Sequence, residues 1–305
     1  MSTPAPRAVQ SQSQIGCGTQ QRKELVVTVV DPNQSVIDSL RAEHFALRVG
    51  NTNATISDVT FQMNKQPLDV VLLIDASVSQ EKVLPLAKAL AKSFIGAIAT
   101  AGPNRVAVVS FSDRPTKNPV FTSDFAAARI AVEQIVIDIP PGYVGGGVVI
   151  STTPPKNRVM PGATSLWDVI QFTAQTLFDA KPDNRRRAML LFSDGNDTSS
   201  SSKFNAAIED AIKHDVAVFS IGLGDQNSGV NEQDLKKLSE QTGGIARFPE
   251  NKEAVESTLD AITQQLRANY VIGYCGEVNS RDKIRVEITQ PDIRKIKPLL
   301  AYKRF

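Results

Sequence analysis

The sequence is poor in the residues on which many catalytic and metal sites depend. It contains only two histidines, His44 and His214, and they lie in different segments, so a Ser-His-Asp triad or a zinc site lacks material. Cysteine is equally scarce. Cys17 and Cys275 are the only two, which excludes a disulfide scaffold and a zinc ribbon. One bridge between them in an oxidising compartment and two free thiols both stay open.

The chain also lacks an excess of charge and a long hydrophobic run. Lys and Arg total 34 against 32 Asp and Glu, and a net charge of +2 argues against nucleic acid or an anionic membrane as a partner. No stretch reaches the roughly 18 apolar residues that a membrane span needs. Residues 1–22 are rich in Ser, Gln and Pro, have no apolar signal-peptide core, and predict a disordered tail. The basic run at 185–187 predicts a solvated loop.

What is present is a regular alternation of apolar strands and amphipathic helices from residue 69 onward. We predict strands at 69–74, 105–111, 120–121, 188–192, 216–221 and 245–248, and helices at 80–101, 123–137, 165–180, 203–214, 235–242 and 252–267. Strands that are apolar on both faces indicate a mostly parallel sheet covered by helices on both sides, a doubly wound α/β fold. Such sheets bind ligands at the carboxyl ends of their strands, where the strand order reverses.

Both flanks of this region have β character. Strands are predicted at 25–30, 45–49, 59–63, 270–274 and 283–289. Sheets this small are marginal alone, so we expect the flanks to pair into one accessory β subdomain into which the α/β domain is inserted. The predicted divisions are a tail at 1–22, one accessory half at 23–67, the α/β domain at 68–268 and the second accessory half at 269–305. This pairing would bring Cys17 close to Cys275.

Three short polar segments accompany the predicted strands. The first, Asp75-Ala76-Ser77-Val78-Ser79, directly follows the first strand of the α/β region. Residues 162–168 place Thr164 before a helix, and residues 191–197 place Asp194-Gly195 after the next strand. Ser and Asp are also common capping and turn residues, so the first segment alone is explained as a helix cap. The three together indicate a site for a hard cation.

Together these segments resemble the metal-ion-dependent adhesion site of von Willebrand factor A domains. Asp75-x-Ser77-x-Ser79, Thr164 and Asp194 fill all five positions of that motif in order. With its β-rich flanks, the chain further resembles bacterial von Willebrand factor A-related proteins of the acidobacterial type. The resemblance implies a Rossmann-like fold and, because those proteins are often exported, a secreted or periplasmic location.

The resemblance also implies roles for the five residues. Ser77, Ser79 and Thr164 would offer neutral hydroxyls to Mg²⁺, or to Mn²⁺ or Ca²⁺. Asp75 and Asp194 would act largely through bound water. The ion would then carry little direct negative charge and would have room for one Asp or Glu side chain of a protein partner.

Two further features are candidates around that site. Within the long Gly- and Pro-rich segment 138–161, we predict that Tyr143, Val144, Gly145, Gly146 and Gly147 form a partner-binding loop, with a flexible spacer as the alternative. Asp113 and Asp197 lie after strand ends. They are candidates for orienting the metal ligands through hydrogen bonds, with solvated loop positions as the alternative.

The sequence therefore predicts a divalent-cation-dependent protein-binding or adhesion module and not an enzyme. The alternative is a structural or assembly component of a larger envelope or secreted complex, in which the metal only stabilises the loops. A metal-assisted hydrolase is disfavoured, because the segments offer no general base near Ser77 and Ser79 and no carboxylate bound directly to the ion.

Overall fold

The computed structural model describes residues 17–31, 35–63, 66–100, 102–115, 119–139, 143–145, 148–149, 163–178, 185–224, 229–249, 252–276, 284–289 and 297–301. The strands are β1 (Arg22–Val30), β2 (Phe45–Val49), β3 (Thr52–Met63), β4 (Leu68–Asp75), β5 (Arg105–Phe111), β6 (Tyr143–Gly145), β7 (Val148–Val149), β8 (Arg186–Ser193), β9 (Val216–Gly222), β10 (Ala246–Arg247), β11 (Ala268–Cys275), β12 (Ile284–Ile288) and β13 (Lys297–Ala301). The α-helices are α1 (Leu84–Ala99), α2 (Phe125–Glu133), α3 (Leu166–Leu177), α4 (Phe204–Lys213), α5 (Glu232–Thr242) and α6 (Lys252–Arg267).

Five strands form a parallel sheet in the order β10-β9-β8-β4-β5. Every residue of β4, β8 and β9 is buried, because α1, α2 and α6 cover one face of the sheet while α3, α4 and α5 cover the other. From β4 the chain passes to β5 on one side and then to β8 on the other, so the strand order reverses at β4. The predicted doubly wound α/β fold is confirmed.

The flanks form a second, antiparallel sheet in the order β12-β2-β3-β11-β1-β13. Three of its strands precede the α/β region and three follow it, so that region is inserted in the sheet, as predicted. Its core includes Leu25, Val27 and Tyr270. The Tyr270 hydroxyl donates to the Ile37 carbonyl at 2.8 Å and accepts from the Leu40 N–H at 3.0 Å. The residue boundaries of the domains stay a prediction.

A disulfide joins the start of the described chain to this sheet. Cys17 and Cys275 are bonded, with their Cα atoms 5.3 Å apart. Arg22 of β1 lies opposite Cys275 of β11, and this register carries the preceding residues to the bridge. Of the two states that the sequence left open, the structure has the disulfide. Residues 1–16 of the predicted tail lie outside the described residues.

No helix in the described part of the chain combines the length and the apolar character needed to cross a membrane.

The basic run Arg185-Arg186-Arg187 is not the solvated loop that the sequence predicts. Arg186 and Arg187 are 5% and 6% exposed and begin β8. Arg186 donates to the Thr28 hydroxyl at 2.9 Å, and burial lowers its pKa to about 10. Arg185 Nε donates to Asp69 Oδ1 at 2.6 Å. The prediction was wrong because the partners come from segments remote in sequence, which a local charge pattern does not reveal.

Two local predictions are also corrected. The predicted helix 123–137 ends at Glu133 as α2, and residues 135–139 continue without helical structure. The run Ile135-Val136-Ile137 is β-branched and has low helix propensity, so it does not continue the helix. Ile135 and Ile137 instead pack against the hydrophobic core. Residues 120–121 form no strand, and only Thr122 makes an isolated bridge to Val106.

The buried carboxylate of Asp69 yields a stability prediction. Asp69 is 3% exposed and accepts from Arg105 Nε at 2.9 Å and Arg185 Nε at 2.6 Å. Asp69→Asn would remove a buried negative charge that accepts from two guanidinium groups, so we expect the free energy of unfolding in urea to fall by about 2–3 kcal/mol. The control is Glu133→Gln, which removes an exposed pair with Lys92 and is expected to have little effect on stability, because water and salt screen such pairs. Equal effects of the two variants would contradict this account.

Candidate metal centre

The candidate site lies at the carboxyl edge of the parallel sheet, where β4 and β8 end side by side. Asp75 is the last residue of β4, and Asp194 directly follows the last residue of β8. The two strands pair in parallel as far as Ile74 and Phe192, so both carboxylates emerge at the same edge. Because the strand order reverses at β4, this edge is where a doubly wound fold opens a crevice.

Hydrogen bonds directly join four of the five predicted residues. Asp75 Oδ1 accepts from the Ser77 backbone N–H at 3.0 Å. The hydroxyl oxygens of Ser77 and Ser79 lie 3.1 Å apart, and Ser79 Oγ donates to Asp194 Oδ2 at 2.8 Å. The first and third polar segments of the sequence therefore meet through a chain of hydrogen bonds.

Thr164 is held at the same edge by its backbone. Its carbonyl accepts from the N–H groups of Thr198 at 2.9 Å and Ser199 at 3.1 Å, and its own N–H donates to the Thr198 hydroxyl at 2.8 Å. These partners belong to the loop that follows Asp194. Thr164 is 3% exposed, and none of these contacts uses its side-chain hydroxyl. The backbone thus positions this residue independently of that group.

The two carboxylates are buried, and the described residues provide no cationic neighbour for them. Asp75 and Asp194 are each 1% exposed. No Lys, Arg or His of the described ranges forms an ion pair with either. Burial and, next, the charge of Asp194 raise the pKa of Asp75 to about 7. A bound cation would offset this concentration of negative charge.

The sequence pattern did not single out Ser193, which supports the site from β8. This residue is fully buried, and its hydroxyl donates to Asp75 Oδ2 at 2.7 Å and accepts from the Gly195 N–H at 3.0 Å. Gly195 has φ 79, and a Cβ there would lie 2.7 Å from the Leu235 side chain, so the turn requires glycine. The only signal in the sequence was that Ser193 is next to Asp194. Which residue the Ser193 side chain contacts depends on how the strands pair.

We expect Ser193→Ala to weaken Mg²⁺ binding about tenfold, because Asp75 would lose the hydrogen bond that orients it. The matched control is Ser220→Ala. Ser220 is an equally buried serine on the neighbouring strand β9 and bonds the Ser239 hydroxyl at 2.9 Å. Isothermal titration calorimetry measures both affinities. Equal affinities for Ser193→Ala and the parent would show that this contact does not support the metal.

Asp197 and Asp113 have other described contacts. Asp197 Oδ1 accepts from the Leu166 N–H at 2.8 Å at the start of α3, and burial raises its pKa. Asp113 Oδ1 accepts from the Ser112 hydroxyl at 3.3 Å. Among the described residues, no hydrogen bond joins either carboxylate to the five motif residues. Their role in orienting the ligands stays a prediction.

The predicted partner-binding loop is partly described. Tyr143, Val144 and Gly145 form β6, which pairs with β7. The Tyr143 hydroxyl donates to the Glu81 carboxylate, just beyond the first polar segment. Gly146 and Gly147 lie outside the described residues. The described part of the loop therefore lies beside the candidate site, and its partner-binding role stays a prediction.

The donor set fits a hard divalent cation. It consists of hydroxyl and carboxylate oxygens, which suit Mg²⁺, Mn²⁺ or Ca²⁺ better than soft metals. Within the described ranges, no group of three or more His, Cys, Asp or Glu side chains could hold a metal ion. An ion at this edge would therefore depend on the hydroxyls of Ser77, Ser79 and Thr164 as well as on the two carboxylates.

Part of the chain matches a known protein family. Residues 156–265 match the family model of the von Willebrand factor type A domain. A comparison with curated proteins finds no match.

Several solved structures are similar to the chain. Proximal thread matrix protein 1 of the mussel byssus shares 16% identity over 76% of this chain and 51% of its own, with a TM-score of 0.50. BatB from Bacteroides thetaiotaomicron is 17% identical in sequence; the match covers 65% of this chain and 98% of BatB, with a TM-score of 0.47. A von Willebrand factor type A protein from Catenulispora acidiphila is 12% identical in sequence; the match covers 92% of this chain and 72% of that protein, with a TM-score of 0.48. Another structure of the mussel protein has a zinc-occupied adhesion-site motif. At these identities the likeness concerns the fold.

Proposed function

We propose that this chain, which carries a von Willebrand factor type A domain, is a divalent-cation-dependent protein-binding module. One observation carries the proposal. Asp75 and Asp194 are buried carboxylates that have no cationic partner among the described residues, and serine hydroxyls are hydrogen-bonded into the same site. The negative charge of such a site is not compensated, and a divalent cation that prefers oxygen ligands would supply the positive charge.

In the proposed complex, Ser77, Ser79 and Thr164 hold Mg²⁺ or a similar ion directly, and Asp75 and Asp194 act through water. Neutral ligands leave most of the ion's charge available. Mg²⁺ also tends to keep several water ligands in proteins, and one of these can be replaced. An Asp or Glu side chain of a protein partner takes that position. The proposal assigns no reaction to the site.

The Cys17–Cys275 disulfide supports an extracytoplasmic location for the proposed module. Disulfides persist in oxidising compartments and are rare in the cytosol. We therefore propose a secreted or periplasmic location for the module.

Thr164→Val tests the proposal against a purely structural role of the metal. Valine preserves side-chain shape and the backbone contacts of Thr164 with Thr198 and Ser199, so we expect the melting temperature in EDTA to stay within about 2 °C of the parent. Loss of the hydroxyl is expected to weaken Mg²⁺ binding, and Mg²⁺-dependent binding of a glutamate-containing peptide, by about tenfold or more. A variant that is less stable than the parent only when Mg²⁺ is present, together with a parent that binds no glutamate peptide in Mg²⁺, would favour the structural alternative.

A further inference from the structure

The antiparallel sheet is open along the second half of β3. This strand pairs with β11 from Thr55 to Met63, whereas β2 pairs with it only at residues 52–54. Among the described strands, none pairs with residues 55–63 on the side away from β11. Alternate residues of a strand direct their N–H and C=O groups to opposite sides, so this edge offers backbone donors and acceptors to a further strand.

This edge has few of the features that protect exposed strands from pairing. Natural edges are often protected by lysine, proline or a free charge. Residues 58–63 contain no lysine or proline, and their one charged residue, Asp58, is paired with Arg22 Nη2 at 2.8 Å. A β-bulge, which also protects edges, is confined to Ser57, so the register from Asp58 onward is regular.

The apolar side chains of this stretch are incompletely covered. Val59 and Phe61 pack against the core of the antiparallel sheet but are only partly buried. Ile272 and Tyr270, which lie opposite them on β11, are fully buried. Met63 continues the same alternation and is 49% exposed. A further strand at this edge would remove apolar surface of all three β3 residues from water.

A cleft of about 580 Å³ adjoins the other end of the same edge. Its apolar lining comes from two strands and includes Phe45 and Leu47 of β2 and Ala54 and Ile56 of β3. The open stretch of β3 therefore has an exposed methionine at one end and an apolar cleft at the other.

We propose that this edge pairs with the same edge of a second copy of the chain, antiparallel and about a two-fold axis at Thr60. In this register Thr60 lies opposite Thr60 of the second copy, and Val59 lies opposite the second copy's Phe61. Threonine pairs and pairs of aromatic with β-branched residues both stabilise antiparallel strands. Each Asp58 lies opposite Gln62, so the two carboxylates do not face each other.

The same axis brings the two ends of the edge together. Met63 of each copy lies opposite Ser57 of the other, next to Ile56 and therefore beside the cleft. The contact is self-complementary, as a two-fold interface requires. It is one short strand long, so we expect a weak, reversible dimer. Because it uses no residue of the proposed metal site, this dimer is separate from the proposed function.

Charges at residue 60 test the axis, because this position faces itself only in the proposed register. Sedimentation equilibrium of the whole chain measures self-association, and we expect the parent to dimerise equally in Mg²⁺ and in EDTA. Thr60→Lys and Thr60→Glu are each expected to weaken dimerisation about tenfold or more, because like charges then face each other. An equimolar mixture of the two variants is expected to regain the dimer, since opposite charges face each other.

Met63→Ser tests the contact with the cleft. We expect it to weaken dimerisation about tenfold, which corresponds to loss of one buried methionine side chain. Because Met63 is exposed within one chain, this variant also keeps the proposal testable if a charge at residue 60 disturbs the fold. The control is Thr55→Lys, at an exposed position of the same strand outside residues 57–63, which is expected to dimerise like the parent.

The possible results separate this dimer from the proposed function. A parent that stays monomeric up to about 1 mM would overturn the dimer. So would self-association that Thr60→Lys and Met63→Ser leave intact, or folded lysine and glutamate variants that do not associate with each other. Dimerisation that is lost in EDTA would place the contact at the metal site and would also overturn the proposal. None of these results decides whether the monomer binds an acidic peptide in Mg²⁺.

Discussion

Asp75→Asn is expected to remove Mg²⁺ binding and to leave the metal-free protein at least as stable as the parent. Asp75 is buried beside Asp194, and no cation from the described parts of the chain pairs with it, so its charge is unfavourable until a metal ion binds. Asparagine keeps the shape, and its amide oxygen can still accept from the Ser77 N–H. Calorimetry is expected to show an affinity for Mg²⁺ reduced by about 100-fold or more, since both charge and a ligand-orienting group are lost.

Loss of Mg²⁺ binding without loss of metal-free stability would distinguish a role of Asp75 in the metal site from a role in the fold. Thermal unfolding at pH 8 in EDTA measures the metal-free stability, and we expect a melting temperature no lower than that of the parent. Asp124→Asn is the matched control, because it keeps a capping residue on α2 and lies outside the motif. Unchanged Mg²⁺ affinity in Asp75→Asn would remove Asp75 from the metal site. Lost affinity together with unfolding would show that Asp75 acts mainly in the fold.

Replacing both cysteines by serine is expected to lower the free energy of unfolding by about 2–5 kcal/mol. The Cys17–Cys275 bridge joins residues 258 positions apart, and such a long loop restricts the unfolded chain strongly. The bridge lies at the end of β11 in the antiparallel sheet, whereas the candidate metal site belongs to the parallel sheet. We therefore expect Mg²⁺ affinity to be unchanged.

Reduction provides an independent check on the disulfide. Tris(2-carboxyethyl)phosphine is expected to lower the urea midpoint of the parent to that of the double serine variant and to have no effect on the variant. A parent whose midpoint does not respond to the reductant would contradict a stabilising role for the bridge.

The fold could be predicted because its signals are local and repeated. β4, β8 and β9 are buried along their whole length, and a continuous apolar run predicts such strands directly. The helix predicted at 123–137 was too long, because Ile135 and Ile137 pack as an extended segment after α2. The extended segment leads to Asp138, whose backbone N–H donates to the Ala76 carbonyl at 2.9 Å.

The candidate site could be predicted only as far as its residues resemble a known spacing. Asp75, Ser77, Ser79 and Asp194 were found in this way, and hydrogen bonds join them. Ser193 was not found, because a serine next to Asp194 carries no sign of which side chain it faces. Contacts between remote segments, such as the one from Ser193 to Asp75 across 118 residues, follow from sheet register and not from local pattern.

The central claim, that a divalent ion is held by hydroxyls with one position open to a partner, is tested most directly by anomalous diffraction from crystals soaked in Mn²⁺. We predict one strong peak at the carboxyl edge of β4 and β8, with Ser77, Ser79 and Thr164 bound directly and water between the ion and both Asp75 and Asp194. One position of the ion is expected to hold water or a carboxylate from outside the chain. A peak elsewhere, no peak, or a shell closed entirely by this chain's own groups would contradict the claim.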